Sequence, residues 1–300
     1  MTDEATLAAA FTGCRPLLLR VAYAVLGSHA DAEDVVSDCW PALVRSDSSQ
    51  PIRDVQAWAT VAVSRRALDL LRSARVRRER YVGPWLPEPV LDRAGGAGGS
   101  SSELGDPADR VTLDDTVSYA LLVVLETLSP AERTAWVLHD LFGMEFSEVA
   151  SVVGRTESAV RQLASRARRH VAEGTPRVSV SADLHRATTE AFALACAEGN
   201  IDKLVSLLDP KVVLTSDGGG QVVAAKRPVV GVNKVALFLT RIARNVTPRE
   251  RAEITAVNGM AGIVIRDPDR IQSVISLTVD AGLITRVDII RAPDKLAHVS

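Results

Sequence analysis

Residues 146–162 read FSEVASVVGRTESAVRQ, and no other stretch constrains the chain as tightly. With Phe146 as the first position, Ala150 is fifth, Gly154 ninth and Val160 fifteenth. A small fifth residue lets two helices approach. A glycine at the ninth permits the tight turn between them, where a side chain would cost conformational energy. The valine packs the second helix back on the first. Thr156 sits where an N-cap belongs, and Ser158, Arg161, Gln162, Ser165 and Arg166 are left to face outward. A helix of that composition suits a major groove, with polar side chains for base edges and arginines for phosphates. An ordinary two-helix corner shares the turn spacing. The basic run Arg166, Arg168, Arg169 favours DNA.

A chain of 300 residues predicts two or three domains. Its net charge of −2 is not that of a nucleic-acid binder as a whole, but the charge is unevenly placed. Residues 1–54 carry four arginines and eight acids. Residues 55–80 carry seven arginines and two acids, and residues 154–177 carry six and two. Two compact basic stretches predict two phosphate-facing surfaces, although a single charge run is more often a solvated helix face. Cys14, Cys39 and Cys196 are far apart, with no CxxC and no zinc-like Cys/His spacing, so neither a metal nor another cofactor is implied. The N-terminus is acidic, Arg20 breaks the apolar run near Leu17, and the run 120–125 is too short to span a bilayer. A cytoplasmic protein without a membrane partner is expected.

Apolar Leu7, Phe11, Leu18, Val21 and Val25 follow a helical period that Gly27 ends. A second helix is predicted from about His29, a loop over 47–54 and a long helix over 55–78. Residues 81–108 hold Pro84, Pro87, Pro89 and the run AGGAGGSSS, and read as a linker. A flexible linker of that length reaches ~30 Å, close to one duplex turn. The cluster Trp85-Leu86-Pro87-Glu88-Pro89 does not suit a passive tether; a tryptophan between prolines is stiff and apolar, and is expected to dock. One helix is predicted over 115–128, followed by a capping signal at Ser129-Pro130-Ala131-Glu132. From Leu184 the pattern becomes α+β. Helices are predicted over 184–197, 201–208 and 232–243, and strands over 212–216, 221–225, 254–257, 262–266, 271–279 and 284–291. That order describes a cone-shaped barrel with a cavity.

Five short motifs in sequence now make a resemblance. Asp31-Ala32-Glu33-Asp34-Val35-Val36, the helix Trp58 to Arg80, Leu128-Ser129-Pro130-Ala131-Glu132-Arg133 with the helix-turn-helix, the WLPEP and Asp217-Gly218-Gly219-Gly220 elements, and Pro293-Asp294-Lys295 are those of a family. The chain resembles the extracytoplasmic-function (ECF) RNA polymerase sigma factors, in the SigJ-like branch with a SnoaL-like C-terminal domain. In that family the last motif is NPDK; here Ala292 replaces the asparagine. The resemblance implies a multidomain fold. Residues 1–80 would form the all-α sigma domain 2, 81–108 the linker, and 109–177 the helix-turn-helix sigma domain 4. Residues 184–296 would form the α+β SnoaL/NTF2-like cone-shaped barrel.

It also implies partners: core RNA polymerase, through its clamp and flap regions, and promoter DNA. Asp31, Glu33 and Asp34 would meet a basic coiled coil on the clamp. Arg65, Arg66, Arg72, Arg75 and Arg77 would meet phosphates at the minus-10 element, with Trp58 stacking on unpaired bases or serving as core. Thr156, Ser158, Arg161, Gln162, Ser165, Arg166 and Arg169 would read the minus-35 element. Pro41 falls within the polymerase-binding helix, where it is expected to kink or end it.

SnoaL-like folds also host enzymes, whose pockets need a general base and an oxyanion donor. No tyrosine follows Tyr119, and the C-terminal acids have no evident donor partner. A non-enzymatic, regulatory domain is expected, with a small ligand in its cavity left open. The turn Asp217, Gly218, Gly219, Gly220, with Asp294 and Lys295, is expected beside Trp85, Leu86 and Pro87 of the linker, restraining the two DNA-binding domains. Two other functions fit the motifs less completely: a helix-turn-helix regulator with a ligand-sensing domain, and a SnoaL-type enzyme fused to a DNA-binding module. A simple regulator needs one DNA-reading unit, and the basic helix over 55–80 supplies a second.

Overall fold

The computed structural model describes residues 4–78, 81–91, 117–175, 180–268, 270–297 and 299, the side chains of 76–78 excepted. The Gly/Ser run and residues 109–116 of the expected domain 4 lie outside the described residues. The chain forms two compact units, Met1–Glu79 with Val124–Gly174, and Arg80–Val123 with Thr175–Ser300.

In the first unit, α1 (Glu4–Leu26), α2 (His29–Ser49) and α3 (Val55–Arg78) pack together. α1 is long and apolar enough to cross a membrane, but eleven of its side chains, from Leu7 to Leu26, are buried within the unit. The Ser28 hydroxyl accepts from the Asp31 amide at 3.1 Å and starts α2. The loop expected over 47–54 begins only at Gln50, because Pro41 does not end α2, which runs through it to Ser49. Val35, Val36, Cys39 and Leu43 bury its apolar side, and that packing outweighs one missing backbone bond. The Asp47 carboxylate then accepts from the Ile52 amide at 2.8 Å, tying the end of α2 to the turn into α3.

The helix predicted over 115–128 is shorter where it is described: α4 spans Tyr119–Leu125 and gives way to a turn in which the Thr127 amide meets the Val124 carbonyl. α5 (Pro130–Trp136) opens with the predicted capping box, Ser129 and Glu132 bonding each other's backbone amides. A π-helical turn follows (Val137–Leu141), then α6 (Phe146–Val153) and α7 (Glu157–Gly174). Among these helices α5, the π-helical turn, α6 and α7 share a core with α1 and α3. Val21 and Leu68 pack among Ala135, Leu138, Val149, Val152, Val153, Val160 and Leu163. The two helical parts on either side of the linker therefore form one body.

The second unit begins its α+β part with α8 (Ala182–Glu198) and α9 (Ile201–Leu207). Six strands follow: β1 (Leu208–Asp217), β2 (Val229–Val230), β3 (Arg251–Val257), β4 (Met260–Arg266), β5 (Ile271–Asp280) and β6 (Leu283–Ile290). α10 (Val232–Ala243) lies between β2 and β3, and α11 (Pro293–Leu296) closes the chain. The sheet order is β2-β1-β6-β5-β4-β3, with β1 and β6 parallel and every other pair antiparallel. The strand predicted over 221–225 does not form. Gln221 and Val222 donate to the Gly218 carbonyl in a turn, and β2 takes the edge.

Strand alternation gives the sheet two apolar faces. Leu214, Ile263, Ile275, Leu277, Val287 and Ile289 pack with Phe192 of α8, Leu204 of α9 and Val235 and Leu239 of α10. Val264, Val274 and Ile290 face the other way and pack with Leu86, Tyr119, Val123 and Leu296. This is the helix-covered cone of SnoaL/NTF2-like domains, with a second layer laid on its outer face.

Candidate nucleic-acid interface and linker-binding site

The helix-turn-helix places its turn at Gly154, whose φ of 72° lies in the left-handed region. The Thr156 hydroxyl accepts from the Ala159 amide at 3.3 Å, capping α7. Val160, Leu163, Ala164 and Ala167 are buried, whereas Ser158, Arg161, Gln162, Ser165, Arg166 and Arg169 are exposed. One face of α7 thus holds the core and the other presents the polar and basic set.

Three of its arginines are held by acids of their own unit. Arg166 Nε meets Glu132 at 2.9 Å, Arg168 pairs with Asp140, and Arg161 lies 3.4 Å from Glu157. Burial would raise the Glu132 carboxyl, but the Ser129 hydroxyl and amide and Arg166 outweigh it and hold the group below the usual carboxylate range. The acid is ionised at neutral pH and leaves Arg166 half exposed.

The basic face of α3 is also engaged. Arg65 donates to the Ser151 carbonyl at 3.1 and 3.3 Å, and Arg75 donates to the Leu128 carbonyl at 3.3 Å. Arg66 lies 3.6 Å from Asp38 and Arg72 lies 3.1 Å from Asp69. The Arg77 side chain lies outside the described residues. Trp58 is half-buried and lines an open cavity of about 860 Å³ with Arg45, Gln50, Arg53 and Asp54, at the α2–α3 turn. On α2, Asp34 is exposed, Asp31 is half-buried and Glu33 is paired with Arg15.

The second unit contains a denser polar site, built on β1, the linker and α11. Asp217 is completely buried at the end of β1. Its carboxylate accepts from the Tyr81 hydroxyl at 2.7 Å, the Leu86 amide at 2.8 Å and the Gly219 amide at 3.0 Å. Lys295, equally enclosed, completes the set with Nζ 2.6 Å from Asp217 and a bond to the Leu86 carbonyl. The same ammonium lies 3.8 Å from the centre of the Trp85 ring and 5.2 Å from that of Tyr81. The turn must be glycine. A Cβ on Gly218 would come 2.4 Å from the Val222 carbonyl oxygen, and one on Gly219 would come 3.1 Å from Ala292 and 3.5 Å from the Tyr81 hydroxyl. Asp294 is exposed, and Pro87 is buried, its carbonyl accepting from the Tyr119 hydroxyl at 2.9 Å. The structure thus brings Trp85, Leu86, Asp217, Gly219 and Lys295 together.

Sequence reasoning missed the other end of this site. Asn258, at the β3–β4 turn with φ of 48°, exchanges bonds with Val90. Its amide donates to the Val90 carbonyl at 2.8 Å, its Oδ1 accepts from the Val90 amide at 3.1 Å, and its Nδ2 reaches the Val117 carbonyl at 3.5 Å. The dipeptide Asn258-Gly259 signals a turn, but nothing local signals that its side chain holds a segment 168 residues away.

Asp288 is raised by burial, against the pull of Arg286 and Thr215. Burial pushes the Cys39 thiol up to about 11 and Cys196 up to about 12, so both stay protonated. Among the described residues no group of three or more His, Cys, Asp or Glu is arranged for a metal.

Residues 10–77 match the family model for sigma-70 region 2, and residues 118–171 match that for sigma-70 region 4. The chain is 41% identical over 256 residues to the ECF RNA polymerase sigma factor SigJ of Mycobacterium tuberculosis, covering 84% of this chain and 78% of that one. The chain belongs to the ECF RNA polymerase sigma factors. It is also 35% identical to a chain named SigI in the same species, over 99% of this sequence and 97% of the other. The crystal structure of M. tuberculosis SigJ superposes with a TM-score of 0.75 at 34% identity, covering 98% of this chain and all of that one. This sigma factor therefore carries regions 2 and 4, which direct RNA polymerase to promoters, and a SnoaL/NTF2-like domain behind them.

Proposed function

We propose that this sigma factor reads two promoter elements through α3 and α7, and that its third domain controls it by holding the linker. The observation that carries the reading is the exposed face of α7, where Ser158, Arg161, Gln162, Ser165, Arg166 and Arg169 stand opposite a buried apolar stripe. Arg161 and Gln162 have the reach for base edges, and Thr156, Arg166 and Arg169 flank them for phosphates. Arg65, Arg66, Arg72, Arg75 and Arg77 meet phosphates of the downstream element, and Trp58, beside Arg45 and Arg53 in an open cavity, stacks on an unpaired base. Asp31, Glu33 and Asp34 meet the polymerase clamp, and the helix-turn-helix half meets the flap. The domains run 1–80, 109–177 and 184–296, joined by the linker 81–108. The protein works in the cytoplasm, with polymerase.

Control rests on two features. Arg65 and Arg75 donate to carbonyls at Ser151 and Leu128, so α3 and the helix-turn-helix must separate before both grip DNA about a turn or more apart. The linker that sets their spacing is pinned by Asp217 and Lys295 at Leu86 and by Asn258 at Val90. The third domain acts by this grip and not by turnover. The test is run-off transcription by core polymerase on a promoter library, with the wild type and Trp85→Ala. Wild-type protein is expected to co-elute with core enzyme and start RNA at defined sites, and Trp85→Ala to change the yield. Failure of the wild type to initiate removes the whole reading; unchanged yield in the variant removes the control.

A further inference from the structure

The recognition helix presents Arg161 from a stacked support that none of the family motifs describes. The Arg161 guanidinium carbon lies 4.3 Å from the centre of the Phe146 ring. The His139 imidazole stacks on that same ring, with centres 3.7 Å apart and planes at 28°. Two groups so close to one ring centre cannot share a face, so Phe146 is sandwiched between them. The imidazole is fixed in turn, its Nδ1 lying 2.8 Å from the Met144 carbonyl oxygen. His139 belongs to the π-helical turn, where the Phe142 amide bonds the Val137 carbonyl and the Met144 amide bonds the Leu138 carbonyl. Such a wide turn inserts a residue relative to an α-helix and is common at functional positions.

An exposed arginine samples many rotamers, and fixing it on binding costs side-chain entropy. Glu157, one turn earlier on α7, restrains it only loosely at 3.4 Å. The flat face of Phe146 holds the guanidinium before DNA arrives. We propose that Phe146, seated on His139, is the positioning residue that aims Arg161 at its base. This rests on the reading that Arg161 touches promoter DNA.

The test uses the full chain in complex with core polymerase and a duplex library randomised over the upstream element, with bound sequences counted. Phe146→Leu keeps the apolar packing and removes the ring, Phe146→Tyr restores a ring, and Arg161→Ala removes the guanidinium. Arg161→Ala is expected to flatten the base preference at one position. Phe146→Leu should weaken the preference there by about two- to five-fold, the scale of an exposed cation–π contact, and Phe146→Tyr should return it. In an Arg161→Ala background Phe146→Leu should change that position no further. If Arg161→Ala flattens a position that Phe146→Leu leaves sharp, the positioning role is wrong. It is equally wrong if Phe146→Leu lowers preference uniformly at all positions, as a packing defect would. If Arg161→Ala leaves every position as in the wild type, the DNA-reading role of Arg161 itself falls, and the inference with it.

Discussion

The ion pairs of α7 and the ion pair at Asp217 use the same chemistry in opposite surroundings. Arg161 and Arg166 keep 58% and 49% of their side chains exposed, whereas Lys295 and Asp217 keep 5% and 0%. Exposed pairs are worth ~0–1 kcal/mol, because water and salt compete for both charges. A phosphate can replace Glu132 or Glu157 as the arginine's partner at little cost, which suits a surface that must exchange partners. The buried pair has no such exchange available. Removing one member strands a charge out of water, so the pair behaves as a fixed joint between linker and sheet.

The largest way to break this contrast is Lys295→Met. It leaves Asp217 buried against only neutral donors, and should lower the stability of the full chain by ~3–5 kcal/mol in urea unfolding. A loss under 1 kcal/mol would mean that the pair is no different from those on α7. A middle case is His185, buried in α8 with Nε2 3.1 Å from the Leu277 carbonyl and no bond at Nδ1. Burial holds its pKa below the ordinary histidine value of 6.5, despite the Leu277 carbonyl. The unfolded chain therefore binds the proton first. Stability is complete above about pH 6.5 and is lost as pH falls from there toward the depressed folded value. Urea midpoints compared at pH 7.5 and 5.5 should drop for the wild type and drop less for His185→Gln. The smallest stability effect belongs to Arg166→Ala, within ~1 kcal/mol of wild type. Its effect should appear in promoter binding, where the slope of log affinity against log salt falls by about one. A large unfolding effect without a change in slope would reverse the comparison.

Much of the first unit was legible because its signals are local. Helix caps, the spacing of Ala150, Gly154 and Val160, and the basic run of α7 all act within a few turns. The failures were also local rules overruled by packing. Pro41 should interrupt α2, yet the buried side of that helix carries it to Ser49. Residues 221–225 have strand composition, but the bend imposed by the Gly218 turn sends them elsewhere. In the linker-binding site Lys295 came in through the family motif that contains it, and the glycines and the tryptophan could be singled out, since each is odd in its own context. Asn258 could not, because its significance lies in two backbone groups distant in sequence.

The order of amino acids by itself determined most of the helices and strands and which face of the recognition helix is polar, through periodicity and short-range bonding, and its short motifs in order carried the resemblance to the family. Only tertiary structure decided that α3 shares a core with the helix-turn-helix, that Asp217 and Lys295 enclose one charge pair around Leu86, and that Arg161 rests on Phe146. Those outcomes depend on which surfaces exclude water together, and burial is a property of the assembled chain that no local window contains.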